Sequence, residues 1–194
     1  MTRAHKAVAI PVLALGMRLA AASPMGNLSL QPESRVWVKG GSTVRDYTCN
    51  AKTIEAVITP TSQETGSLPL DQLVASAQVN IPVATLECGN GTMNEHMRKA
   101  LKAAENPRLL FELAGYQIGE AGAITLKGTL TMAGRALPIE ITGTITEQEG
   151  GIVRVSATRQ IKMTEWGIKP PSLMLGAMKV HDPVTIGLDI LVKR

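Results

Sequence analysis

Large aromatic side chains are nearly missing. Phe, Trp and Tyr make up 3% of the 194 residues, and Phe111 is the single phenylalanine. A core must therefore be assembled from Val, Ile, Leu, Met and Ala. Basic patches interleaved with aromatics are absent too, so no nucleic-acid partner is expected. Cysteine is down to Cys49 and Cys88, a pair too sparse and too widely spaced for a CxxC redox site or a four-ligand zinc site. Histidine is limited to His5, His96 and His181. There is no H-E-x-x-H, no G-x-S-x-G and no Gly-rich phosphate loop between a strand and a helix. His96 and its neighbour Glu95 would point apart on a helix, so they form no dyad. The expectation is a chain with no catalytic residues, no metal site and no cofactor.

No apolar run is long enough to span a bilayer, which takes about 20 residues. The longest, Ala7 to Met17, covers eleven. It follows Arg3 and Lys6 and precedes Ala20-Ala21-Ala22, the layout of a secretory signal peptide cut after Ala22. Arg18 is an irregularity so close to the cut, and it leaves open a different cut or an uncleaved anchor. The expected location is therefore periplasmic or secreted. The chain carries 20 basic and 16 acidic residues, and losing Arg3, Lys6 and Arg18 with the leader leaves 17 against 16. An oxidising compartment favours joining Cys49 to Cys88. The loop closed would hold about 40 residues, for which chain entropy gives roughly 4 kcal/mol. The alternative is two separate buried thiols.

Residues 23–33 read as a polar connector with two prolines. From Ser34 onward, apolar and polar residues alternate in the β manner. "SRVWVKG" sets Val36 and Val38 against Arg35, Trp37 and Lys39, and Gly40-Gly41 then reads as a turn. "AKTIEAVITP" places Ile54, Ala56 and Ile58 on one face, and "VASAQVNIPV" does the same for Ala75, Ala77, Val79, Ile81 and Val83. "RLLFELAGYQI" groups Leu109, Phe111 and Leu113. Three consecutive strands follow, with turns at Ala133-Gly134-Arg135 and Gly150-Gly151. His181-Asp182-Pro183 reads as a turn before the last strand, "PVTIGLDILVKR". In that strand Val184, Ile186, Leu188, Ile190 and Val192 form one apolar face.

One stretch breaks the pattern. "CGNGTMNEHMRKALKAAENP", residues 88–107, reads as an amphipathic helix with Met93, Met97, Leu101 and Ala104 on its apolar stripe. Thr92 and Glu95 have capping-box spacing, and Asn106-Pro107 marks the stop. About eight strands joined mostly by hairpin-length turns predict an all-β antiparallel sandwich or barrel. The helix would cover one end.

At these residues the sequence resembles the YceI-like family of secreted β-barrels that bind polyisoprenoid or related lipids. "SRVWVKGGSTVRDYTC" is similar to the family's opening strands, and "NEHMRKALKAAENPRLLFEL" to its helix, proline and strand. "LKGTLTMAGRALPIEI" resembles its hairpin, and "KMTEWGIKPPSLMLGAMKVHDPVTIGLDI" its closing loop and last strand. The chain departs from the usual pattern in "KALKAAENP" after the helix and in the Cys49/Cys88 pair. The resemblance covers residues 34–194 and implies an antiparallel eight-stranded lipocalin-like barrel with one short helix capping an end.

It also implies a hydrophobic small-molecule ligand: a long-chain polyisoprenoid, quinone or fatty-acid-like lipid held inside the barrel. The apolar loop "PPSLMLGAMKV", residues 170–180, reads as a portal lid or a patch for transient membrane contact, or else as a loop folded over the barrel end. Burying a dozen methylenes would give a gross term of about 10 kcal/mol before association costs. The apolar positions expected to line the site are Val36, Val38, Met97, Leu101, Leu109, Phe111, Leu113, Leu130, Met132, Ile139, Ile141, Met163, Trp166 and Met174. Methionines suit a pocket that adapts to a flexible chain, and equally suit gap-filling in a core. The competing reading is an exported structural barrel filled by its own side chains.

Overall fold

The computed structural model describes residues 28–62, 65–173, 175 and 177–194. The leader, the cut after Ala22 and Met174 lie outside the described residues. Its strands are β1 (Ser29–Leu30), β2 (Arg35–Ser42), β3 (Asp46–Ala51), β4 (Glu55–Pro60), β5 (Val74–Pro82), β6 (Leu86–Glu87), β7 (Arg108–Ile118), β8 (Ala123–Met132), β9 (Arg135–Gln148), β10 (Ile152–Lys162), β11 (Ser172–Leu173) and β12 (Met178–Lys193). One helix, α1 (Gly91–Ala100), stands between β6 and β7.

All pairings among the described residues are antiparallel, and the sheet order runs β4-β5-β7-β8-β9-β10-β12-β2-β3-β6. The two ends of that order meet. β3 and β4 are separated only by a bend at 52–54, and β5 and β6 only by a 3-10 turn at Val83–Thr85. Asn50 faces Glu87 across β3 and β6, Glu55 faces Asn80 across β4 and β5, and the Lys52 N–H donates to the Thr85 carbonyl between them at 3.0 Å. Segment 46–60 thus lies along segment 74–87 as one interrupted pair, with β2 on one side and β7 on the other. Counted so, and setting the two-residue β1 and β11 aside, the twelve segments reduce to the eight predicted strands.

β12 is the longest strand and is flanked by β10 and β2 along the same stretch. Its predicted apolar face points inward and divides between two packed groups. Ile190 and Val192 join Leu28, Leu73, Ile124, Ile145 and Val153, which fill one end of the curled sheet. The Tyr116 hydroxyl donates to the Leu70 carbonyl (2.8 Å) and accepts from the Val74 N–H (3.1 Å), pinning the loop that plugs this end. Val184 belongs to the second group, with Met132, Ile139, Ile141, Ala157, Ile161, Trp166 and Ile168. Each such side chain withdrawn from water contributes about 1.5–3 kcal/mol.

Trp166 sits where the wall parts. The β9–β10 ladder stops at Thr142 opposite Thr158, so the start of β9 and the end of β10, though paired with β8 and β12, part from each other. A 3-10 turn at Met163–Trp166 puts the indole into that wedge, with Nε1 donating to the Leu130 carbonyl at 2.9 Å. Asp182 holds the turn in place by accepting from the Thr164 N–H (2.9 Å) and hydroxyl (2.7 Å).

Three sequence readings are corrected. Gly40-Gly41 is not a turn; both lie inside β2, and the turn falls at Thr43-Val44. A Cβ on Gly40 would overlap the Tyr47 ring of the facing strand, so the glycine is there for close approach. His181-Asp182-Pro183 is likewise not a turn but an irregularity within β12, where the register with β2 shifts between Val180 and Val184. The connector is not wholly outside the fold: Ser29 and Leu30 pair with Lys193 and Val192, and Leu28 is buried. The turns at Ala133-Gly134 and Gly150-Gly151 stand as read, with φ of 49°, 80°, 74° and 72°.

Candidate functional site

α1 starts earlier than its capping-box spacing suggested. Asn90 is the N-cap, its side chain accepting from the Met93 N–H at 3.0 Å, and Thr92 and Glu95 lie inside the first turns. The helix also stops earlier, at Ala100. Lys102 takes a left-handed φ of 52°, its N–H donates to the Lys99 carbonyl, and the Ala103 N–H donates to the Arg98 carbonyl. That is a Schellman termination with lysine where glycine is usual, which leaves Ala104 outside the helix.

Three ties fix α1 to the edge of the sheet. The buried Asn94 side chain accepts from the Cys88 N–H at 2.7 Å. Arg98 donates to the Ala84 carbonyl at 3.2 Å. Cys88, immediately before the helix, is disulfide-bonded to Cys49 in β3. The two cysteines are thus one bridge rather than separate thiols.

Held this way, the apolar side of α1 roofs a cavity of about 210 Å³ that is open to solvent on one side. At about 30 Å³ per water, this is room for roughly seven waters. The helix contributes Met93, His96, Met97, Ala100 and Leu101. β2 and β12 contribute Val38, Val180, Val184 and Ile186, and the floor is Met132, Ile161, Met163 and Ile168. Leu86 and the disulfide close the side where β3 meets β6, and Pro171 and Met178 stand across from them. The walls are almost wholly apolar. A second depression, outside the wall beside Trp166, is open and mixes Lys127, Glu140, Arg159 and Glu165 with apolar groups, so it offers no enclosed surface.

The few polar groups at the cavity beneath α1 are Ser42, Arg45, Tyr47 and His96. The Ser42 hydroxyl is used within its own turn: it donates to the Arg45 carbonyl at 2.9 Å and accepts from the Val44 and Arg45 N–H groups. Burial pushes the Tyr47 phenol above its ordinary value, because its ionised form would lose water. Among the described residues, no cluster of His, Cys, Asp and Glu has the makings of a metal site.

Five of the fourteen expected lining residues meet here: Val38, Met97, Leu101, Met132 and Met163. Leu109, Phe111, Leu130, Ile139, Ile141 and Trp166 pack beneath the cavity in the adjoining core and do not line it. Val36 and Leu113 are half-buried strand residues away from it, and Met174 lies outside the described residues. Strand parity had separated inside from outside, but height along the barrel depends on register. For that reason alternation does not assign Tyr47, Leu86 and Ile161 to the cavity, while His96 on α1 and Ile168 after the 3-10 turn lie outside any strand pattern. Met93, Val184 and Ile186, which the sequence pattern places on apolar faces, also line it.

Comparison with known proteins agrees with this architecture. The model of the YceI-like domain matches residues 34–192. The chain belongs to the YceI-like family. Among solved structures, it is similar to BcnA of Burkholderia cenocepacia, with a TM-score of 0.70 and 17% identity over 84% of this chain and 99% of that one. It is also similar to a polyisoprenoid binding domain from Saccharophagus degradans, with a TM-score of 0.64 and 15% identity over 86% and 97% of the two chains. The YCEI protein of Campylobacter jejuni aligns with a TM-score of 0.59 and 20% identity over 74% and 82%. At these identities the likeness shows the shared YceI fold. No curated protein sequence matches.

Proposed function

We propose that the protein binds the apolar chain of a lipid, of polyisoprenoid, quinone or fatty-acid type, in the cavity beneath α1. On this reading it carries or stores that lipid outside the cytoplasm, without catalysing a reaction. One observation carries it: a cavity open on one side, walled by Met, Leu, Ile and Val, at one end of a barrel whose other end is filled. Empty apolar surface of that kind gains about 0.8 kcal/mol for each methylene it removes from water. Membership of the YceI-like family supports the reading, as does the structural likeness to a domain described as polyisoprenoid binding.

Export is supported by the leader-like layout of residues 1–22 and by the Cys49–Cys88 bridge, since oxidising compartments preserve such bonds. Transient membrane contact is supported by the exposed Val44 and Leu175, which lie on loops beside the cavity mouth; the Thr43 hydroxyl joins those loops by donating to the Ala177 carbonyl at 3.2 Å.

The test is mass spectrometry of organic extracts from protein purified natively. A lipid near one equivalent supports the reading. A clean extract, together with no uptake of added lipid, leaves a structural barrel.

A further inference from the structure

The polar groups at the cavity mouth all offer hydrogen-bond donors. Arg45 directs its guanidinium at the Met93 sulfur, 3.6 Å away, a weak acceptor that leaves most of its donors unused. His96 lies one helical turn beyond Met93, on the same face of α1, and lines the same cavity. Tyr47 stands two residues after Arg45 and places its ring over Gly40 on the inner side of the β2–β3 pair. Met93 therefore brings the Arg45 and His96 sides of the rim together, with Tyr47 below them.

Among the described residues, no carboxylate answers these donors. The ion pairs among the described residues join Arg154 to Asp189 and Arg194 to Glu147, both away from this mouth. Asp46 faces Gly41 on the outer side of the β2–β3 pair, and Glu95 is exposed and outside the cavity lining. Ser42, the remaining polar group, is saturated by its turn. An apolar tail seated on Met132, Ile161 and Ile168 would leave its polar end beside an arginine with no counter-ion.

We infer that the ligand is an anionic amphiphile, whose carboxylate or phosphate head is held by Arg45 with help from His96 and Tyr47 while its tail occupies the cavity. This rests on the lipid-binding reading and adds the chemistry of the head group. Hydrogen bonds to an ionised acceptor are about twice as strong as neutral ones, and arginine matches carboxylate and phosphate in bidentate fashion.

The test is calorimetric titration of the intact protein and of Arg45→Gln with decanoate, decyl phosphate and 1-decanol. Because Arg45 is exposed, Arg45→Gln should fold, and circular dichroism checks this. Decanoate or decyl phosphate should bind the variant about tenfold more weakly, while decanol binding changes less than about twofold. Whichever anion loses more identifies the head-group chemistry. His96→Gln, a change on a separate element, should give a smaller loss of the same selectivity. If the variants alter all three probes alike, or none, the head-group inference falls and the lipid reading stands. If none of the probes binds the intact protein, both fall together.

Discussion

Cys88 faces Cys49 one rung beyond the Asn50–Glu87 pair, at the point where the sheet meets itself. The β3–β6 ladder has only two pairs, Asn50 with Glu87 and Ala51 with Leu86, so the disulfide supplies a third, covalent rung. It also belongs to the cavity wall and lies directly before α1. The bond therefore serves both the closure of the barrel and the placement of the helix roof. The bridge closes a loop with a sequence separation of 39, for which the chain-entropy term is about 4 kcal/mol. Reduction, or paired Cys49→Ala and Cys88→Ala changes, should lower unfolding stability by about 2–4 kcal/mol. Amide exchange should rise first across 88–101 and only later in β9, β10 and β12. If exchange in the helix is unchanged on reduction, Asn94 and Arg98 hold the roof by themselves.

The size of the cavity predicts a length rule. Its volume of about 210 Å³ limits how much of an alkyl tail it can take. Affinity for a series of n-alkyl carboxylates should therefore climb about fourfold per added carbon, the equivalent of about 0.8 kcal/mol. It should level off once the tail has filled the space beneath α1. Ala100→Leu adds wall volume from the helix and should bring the plateau on about two or three carbons earlier. Titration of the acids from hexanoate to palmitate in both proteins measures this. A steady climb to palmitate would mean that the roof yields to a longer chain.

Much of this architecture was legible because alternation carries its own explanation. The last strand could be read residue by residue, since Val184, Ile186, Leu188, Ile190 and Val192 have one way to leave water together. Gly40-Gly41 misled because a glycine pair marks a turn when only neighbours in sequence are considered. The reason for Gly40 is Tyr47, which the register places opposite it. Trp166 misled in another way. A large ring in an aromatic-poor chain looks like a ligand platform, yet its place is a wedge between β9 and β10 that appears only once their ladder is seen to end. Arg45 and His96 gave no local signal, because an exposed arginine beside a turn and a histidine on a helix are ordinary until the fold sets both at one mouth.

The end of α1 offers a gain in stability. Lys102 holds a left-handed conformation, φ 52°, which costs a residue with a Cβ about 1 kcal/mol and costs glycine little. The Schellman bonds at Lys102 and Ala103 use backbone groups alone, so they survive removal of the side chain. Lys102→Gly should raise the melting temperature by about 2–4 °C, corresponding to about 1 kcal/mol in a domain of this size. Lys102→Val should lower it, since a β-branched side chain fits this conformation worst. A thermal melt of the two variants beside the parent decides the matter, and equal melting temperatures would mean that the turn relaxes at no cost.

On the outer face, Asp189 ties β12 to β10. It accepts from Arg154 at 2.7 and 2.6 Å and from the Ser156 hydroxyl at 2.8 Å. The hydrogen bonds from Arg154 foremost hold this carboxyl below the usual aspartate range; burial, second in size, opposes them, and the Ser156 hydroxyl adds to the lowering. The folded chain thus takes up this proton less readily than the unfolded one. The resulting stabilisation is whole above the unfolded value of about 3.9, and it drains away as pH falls through the lower folded value. Asp189→Asn should therefore unfold at a lower urea concentration than the parent at pH 7, with the gap closing towards pH 2. Asp182, also held low by its hydrogen bonds from Thr164, is present in both proteins and cancels from the comparison. Arg154 is partly exposed, so the pH 7 gap should also shrink in high salt. A gap that stays constant between pH 7 and pH 2 would show that Asp189 acts through shape alone, with its charge contributing nothing.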